Sequence, residues 1–418
     1  MDKSKNLYQS EWGVCMKAYP YQWRALFLMV LAWGFAGLAH NCVSFLFPYF
    51  SVDFQLGTQH NGYLTATLAF FWTLSILYCG PKANRIGQVK VMVPGLLLGA
   101  AALAVLALSG HVLMLYVVTA IAGFGCGSIV SASLSFLAEQ SDPNNRGLFY
   151  GVAMSSFTLI GSAMGSVVFT RLGATAAGWR GCYVVMAALV LLAAVLIFLL
   201  GRKIPRKVQI SAEQEEPQSF WALFAYRNVI LSTVLACLTM MWYFTVAAYT
   251  ILYLMEAKEL TAVAAGAIFT GFGSGGFIGE FGAPIVSDYL GRKKTAMFAS
   301  LAGSLCFAVF MLCDLPATLM TLAIAGASFF LSGAMAILNS VVPSESVPAE
   351  LVATATSFTP AAGELMGGVA APVIAGILSG LLGMTQVMNL LMVLPVLVCV
   401  GSLFLKETAP AVLARSRT

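Results

Sequence analysis

Residues 80–90 read GPKANRIGQVK, and residues 284–294 read PIVSDYLGRKK. Each stretch closes one long apolar run and opens another. Asn84 stands three residues before Gly87, Asp288 stands three before Gly291, and the two glycines are 204 residues apart. Further marks recur at nearly the same offset: Gly62 with Gly266, Gly127 with Gly333, Glu139 with Glu345, and Gly161 with Gly367. A polar turn used twice at this separation implies a duplicated unit that fills half of the 418-residue chain.

The runs on either side of these turns set the fold class. Apolar residues make up 60% of the chain and charged residues 9%, against about 45–50% and about 25% in an ordinary soluble domain. Too few polar side chains remain to cover a soluble surface. Twelve apolar runs fall at about 24–50, 60–80, 90–110, 112–138, 148–171, 179–201, 228–254, 261–284, 295–313, 316–341, 354–380 and 385–405. Each is long enough to cross a hydrocarbon core of ~30 Å as a helix, and helices satisfy their own backbone there. The expectation is an all-α integral membrane protein with twelve transmembrane helices in two pseudo-symmetric six-helix bundles. Residues 1–201 form the first bundle, 202–227 a cytoplasmic linker and 228–418 the second. The linker carries a basic cluster, then acids, then the amphipathic stretch SFWALFAY.

Charge sets the orientation. With twelve spans, 19 of the 22 Lys and Arg residues fall on the side that bears the termini and the linker. The positive-inside rule makes that side cytoplasmic, so the net charge of +5 reports topology and not a nucleic-acid partner. The first run is too long for a signal-peptide core and reads as an uncleaved span. Nine scattered cysteines without a CxxC give neither a disulfide framework nor a metal site. The three histidines, His40, His60 and His111, form no metal or catalytic cluster.

With these residues in place, the chain resembles the major facilitator superfamily. That family carries a G-x-L-x-D-R-x-G-R-K pattern between spans 2 and 3, and a weaker copy between spans 8 and 9. The stretch Glu139–Asp142–Pro143–Arg146–Gly147 resembles the family's loop after span 4, and Gly178–Trp179–Arg180 resembles its approach to span 6. The resemblance implies a secondary transporter working by alternating access, not an enzyme, with no cofactor. It implies a cytoplasmic gate built from Gly80, Asn84, Arg85, Gly87, Glu139, Arg146, Asp288, Gly291, Arg292 and Glu345. Arg85 and Arg292 are expected to pair with Glu139 and Glu345. Asn84 stands where the family has Asp, so the first copy keeps an acceptor without a charge.

An ionisable side chain inside a span costs free energy, so each is a functional candidate. Glu364, Glu280 and His40 are the proton-coupling candidates, Glu364 ranked first. Glu280, Pro284 and Asp288 share one helix face at spacings of four. The candidates for the substrate cavity are Trp33, Asn41, Tyr49, Trp242, Tyr243, Tyr249 and Asn339, since Tyr and Trp offer an apolar face with a donor. The GxGxxG at 271–276 lies inside an apolar run with no preceding strand, so it reads as close helix packing and not as a dinucleotide site.

Two absences narrow the transport class. Thr119 stands where the resemblance would place the Arg of drug–proton antiporters, and Gly161–Gly165 lacks their proline. No Lys or Arg lies deep in a span, which disfavours a dicarboxylate. The expected activity is proton-coupled uptake of a small organic metabolite, a monocarboxylate being one class, by a monomer in the plasma or bacterial inner membrane. Drug or metabolite efflux, and a non-transporting receptor or scaffold, are the rival readings.

Overall fold

The computed structural model describes residues 20–142, 146–205 and 220–415. Among the described residues all regular structure is helical. Twelve helices are long and apolar enough to cross a membrane. They are α1 (Gln22–Phe54), α2 (Gln59–Ala83), α3 (Gln88–Leu106), α4 (Val112–Gln140), α5 (Leu148–Gly173), α6 (Gly178–Gly201), α7 (Arg227–Ala257), α8 (Ala262–Leu290), α9 (Arg292–Leu312), α10 (Ala317–Glu345), α11 (Glu350–Leu382) and α12 (Met384–Ser402). The chain is therefore a multi-pass integral membrane protein with a twelve-span, all-α fold. The expected runs map one to one onto these helices. Most of the linker, and the side chains of Asn84 and Arg146, lie outside the described residues.

The helices are longer than the apolar runs, and the polar turns shrink accordingly. The helix of α2 continues to Ile86 and contains Pro81, and α8 contains Pro284. Gly87 alone separates α2 from α3, and Gly291 alone separates α8 from α9. Both glycines hold positive φ, +107° and +99°, a region that side chains with a Cβ rarely enter. Each donates its N–H to the carbonyl four residues back, Ala83 or Ser287, at 3.0 Å. The repeat read from sequence is thus a repeat of backbone geometry.

Lipid tails supply no hydrophobic force between spans, so close van der Waals packing holds them together. The glycine-rich part of α8 does this on two faces. Gly271, Gly275 and Gly279 lie against the Thr321, Ala325 and Phe329 carbonyls of α10, where a Cβ would collide. Gly273 and Gly276 face Ala163 and Thr158 of α5.

The first six spans meet the last six mainly through α5 against α8 and α2 against α11. The seam is closed on the face opposite the Gly87 and Gly291 turns. There Asn61 donates to the Ala248 carbonyl at 2.7 Å, and the Thr58 and Ser379 hydroxyls meet at 3.0 Å. The Phe45 and Phe269 rings pack 5.8 Å apart across the same seam. On that face Asp53 accepts from Trp179 Nε1 at 2.7 Å and pairs with Arg180 at 3.2 Å, tying the end of α1 to the start of α6.

Four spans contain wide π-helical turns: Phe157–Met164 in α5, Ile197–Gly201 in α6, Ile337–Val341 in α10 and Leu365–Ala370 in α11. Such turns are rare and frequent at functional sites. Three of them adjoin candidate residues, as described next.

Candidate functional site

His40, near the middle of α1, is 3% exposed. Its ring packs among Trp72 of α2, Phe157 of α5 and Phe244 of α7, with centroids 5.3, 5.5 and 5.7 Å away. Its Nε2 has no hydrogen-bond partner. A buried polar atom left this way costs about 1–3 kcal/mol, so this nitrogen is available to a ligand group. Asn41 turns to α5, donating to the Gly37 carbonyl at 2.9 Å and to Ser162 Oγ at 3.4 Å.

The two carboxylates sit on the helices that face the first six spans. Both are half-buried. Glu280 of α8 accepts from Thr158 Oγ1 at 3.1 and 3.2 Å, one distance to each oxygen. Thr158 lies in the π-helical segment of α5. The Tyr243 hydroxyl of α7 lies near Thr158 and Ser162 and within electrostatic range of both Glu280 and Glu364. Glu364 ends the α-helical part of α11, immediately before its π-helical turn. Asn339, in the π-helical turn of α10, donates to Met240 Sδ at 3.8 Å, and its Oδ1 is buried without a partner. These contacts join α1 to α5 through Asn41 and α5 to α8 through Thr158, with Tyr243 of α7 and Glu364 of α11 nearby.

The remaining cavity candidates go elsewhere. Trp33 Nε1 donates to Ser133 Oγ at 2.8 Å and ties α1 to α4. Tyr49 bonds the Thr170 carbonyl and ties α1 to α5. Tyr249 bonds the Pro372 carbonyl at 3.0 Å and ties α7 to α11. Trp242 is 1% exposed and packs on Phe272 and Phe307, inside the last six spans. Neighbouring helical residues point about 100° apart. With Tyr243 aimed at the carboxylates, Trp242 is turned into the α8–α9 packing.

The gate candidates form two unequal clusters. Arg292, 5% exposed, pairs with Glu345 through Nη2 at 2.8 Å and Nε at 3.2 Å. It also contacts Asp288, Ser287 and the Pro284 carbonyl. Glu407, which the sequence reading missed, caps the start of α9: it accepts from the Arg292 N–H at 2.7 Å and the Lys293 N–H at 3.3 Å. Thr408 donates to Glu345 at 2.7 Å. In the first copy Glu139 accepts from Gln88, the counterpart of Arg292, and Arg85 is exposed. Gly80 lies within the last turns of α2. On the opposite face, outside the spans, Lys258 bonds Asp314 at 2.6 Å. That bond holds the Asp314 carboxyl below its usual range and the Lys258 ammonium above its own.

Comparison with known proteins bears on the family and the fold. The profile of the Major Facilitator Superfamily matches residues 25–366. The gallate transporter of Pseudomonas putida is 24% identical, with 81% of each chain covered. The 4-hydroxybenzoate transporter of Pseudomonas aeruginosa is 27% identical, over 43% of this chain and 40% of that one. An uncharacterized transporter of Buchnera aphidicola is 22% identical, over 42% of each chain. Among solved structures, a bacterial homolog of the human lysosomal transporter Spinster, inward-facing and unoccupied, superposes with a TM-score of 0.77. Its identity is 15%, covering 92% of this chain and 96% of that one.

Proposed function

The chain belongs to the Major Facilitator Superfamily, a family of secondary transporters and not of enzymes, and on that premise we propose that it carries a small aromatic monocarboxylate together with a proton. The two bundles, residues 1–201 and 228–418, rock about a central site and open it alternately to either face. The direction is uptake, and the chain acts as a monomer in the bacterial inner membrane with both termini cytoplasmic.

The buried polar groups between the two sets of six spans are the observation that carries this reading. His40 offers an unpartnered ring nitrogen inside a ring of Trp72, Phe157 and Phe244, which suits a carboxylate attached to a flat apolar body. Among the described residues no lysine or arginine packs against its ring to balance a substrate's negative charge. A proton taken up on Glu364 or Glu280 supplies that balance, because an uncompensated charge in a low-dielectric site is costly. Two relatives bear the names of gallate and 4-hydroxybenzoate transporters. Each of those compounds is a single carboxylate on a hydroxylated ring.

The gate works at the turns. The Arg292–Glu345 pair and the Glu407 cap brace α8, α9 and α10 at the cytoplasmic end, and Glu139 with Gln88 braces α3 and α4.

Uptake of labelled 4-hydroxybenzoate into proteoliposomes, with the outside made acid, tests the proposal. The wild type accumulates substrate above equilibrium, and Glu364→Gln only equilibrates it. Accumulation by Glu364→Gln equal to that of the wild type removes Glu364 from the coupling.

A further inference from the structure

Buried threonines in membrane helices ordinarily satisfy their hydroxyls on their own helix. Thr73, Thr170, Thr233, Thr239, Thr250 and Thr295 all do so, each donating to a carbonyl one turn earlier. Thr158 is equally buried, at 1% exposure, yet it reaches out of its helix and across the seam to Glu280 of α8. Two features of the chain allow this. The π-helical segment beginning at Phe157 resets the face that α5 presents, and Gly276 lets α8 come close. A Cβ on Gly276 would stand 2.7 Å from Thr158 Cγ2.

We propose that Thr158 is a positioning residue through which the first six spans sense the proton on Glu280. This rests on the reading of Glu280 as a proton site. An ionised carboxylate accepts a hydroxyl hydrogen bond about twice as strongly as a neutral acid does. Ionised Glu280 therefore holds α5 against α8, and protonated Glu280 loosens the contact and frees the two halves to rock. The bond crosses between units that move relative to each other, so its strength enters the equilibrium between inward-open and outward-open states directly.

The groups that face Glu280 leave it the group that changes. From α7 comes Tyr243, whose hydroxyl is within electrostatic range of Glu280 and near Thr158 and Ser162. On α11, Glu364 is the other carboxylate within electrostatic range of that tyrosine. From α5 come the hydroxyls of Thr158 and Ser162, and from α10 those of Ser328 and Ser332, beside Gly276. The charges at the ends of α8, α9 and α10, Asp288, Arg292 and Glu345, are engaged with one another, and Glu407 caps α9. Glu364 is the other candidate proton site, so the experiment must separate the two.

Hydrogen–deuterium exchange on the purified full chain, at acid and at alkaline pH with intrinsic rates corrected, reads the equilibrium without a substrate. The wild type is expected to shift protection along α5 and α8 between the two pH values, by roughly tenfold in the opening equilibrium. Thr158→Val and Glu280→Gln lose that shift, Thr158→Ser restores it, and Glu364→Gln keeps most of it. A Thr158→Val protein that shows the full wild-type shift overturns the proposal, as does a Thr158→Ser protein that folds and shows none. If the shift depends on Thr158 but no aromatic acid is accumulated in proteoliposomes, the transport reading fails and the sensing role stands.

Discussion

The turn between α2 and α3 and the turn between α8 and α9 have one backbone and two chemistries. Each pivots on a glycine at positive φ, Gly87 or Gly291, and each places the next residue against a glutamate at the end of the following helix pair. In the second turn that residue is Arg292, which reaches Glu345, Asp288, Ser287 and the Pro284 carbonyl, with Glu407 capping the helix beneath it. In the first it is Gln88, which offers Glu139 a neutral amide. A similar division holds among the buried polar groups between the two sets of six spans. The first six spans contribute His40, Asn41, Thr158 and Ser162. The last six contribute both carboxylates and Tyr243. The backbone of the turn is shared, while the residue after its glycine is an arginine in one copy and a glutamine in the other.

Substitutions at the two turns separate geometry from charge. Arg292→Met is expected to have the largest effect. It leaves Glu345 and Asp288 without their cation and lowers stability by about 3–5 kcal/mol, measured by thermal unfolding in detergent. Gln88→Ala removes one neutral amide from Glu139 and is expected to lower stability by about 0.5–1.5 kcal/mol, the net contribution of one hydrogen bond. Equal losses at the two sites would mean that the shared backbone, and not the charge, sets the strength of the turns. Glu407→Gln keeps an acceptor at the start of α9 and removes only its negative charge. The expected loss is about 0.5–1 kcal/mol, and it should shrink in high salt as a helix-dipole interaction does.

How much of this was legible in the sequence depends on scale. The twelve spans were legible because a membrane helix needs a long apolar run and almost nothing else produces one. The paired turns were legible because a glycine three residues after a polar residue recurs at a fixed offset. The rotation of each helix was not. When a span is apolar all round, no stripe tells which face meets its neighbours, so Trp242 and Tyr243 looked alike as cavity residues. One packs on Phe307, and the other carries its hydroxyl within electrostatic range of both carboxylates. The π-helical turns shift that rotation again and leave no composition signal. Glu407 was missed because it lies beyond the last apolar run, where a glutamate normally reads as a solvated tail. Thr158 was missed because a threonine in a span usually bonds its own helix.

The central claim is that a proton moves with the substrate through the carboxylates of the last six spans. Its most direct test is the internal pH of proteoliposomes given an inward gradient of 4-hydroxybenzoate and no imposed pH gradient. The account predicts that the wild type acidifies the lumen as substrate enters, and that the Glu280→Gln, Glu364→Gln double variant does not. Substrate entry through the wild-type protein with no change in internal pH would contradict it.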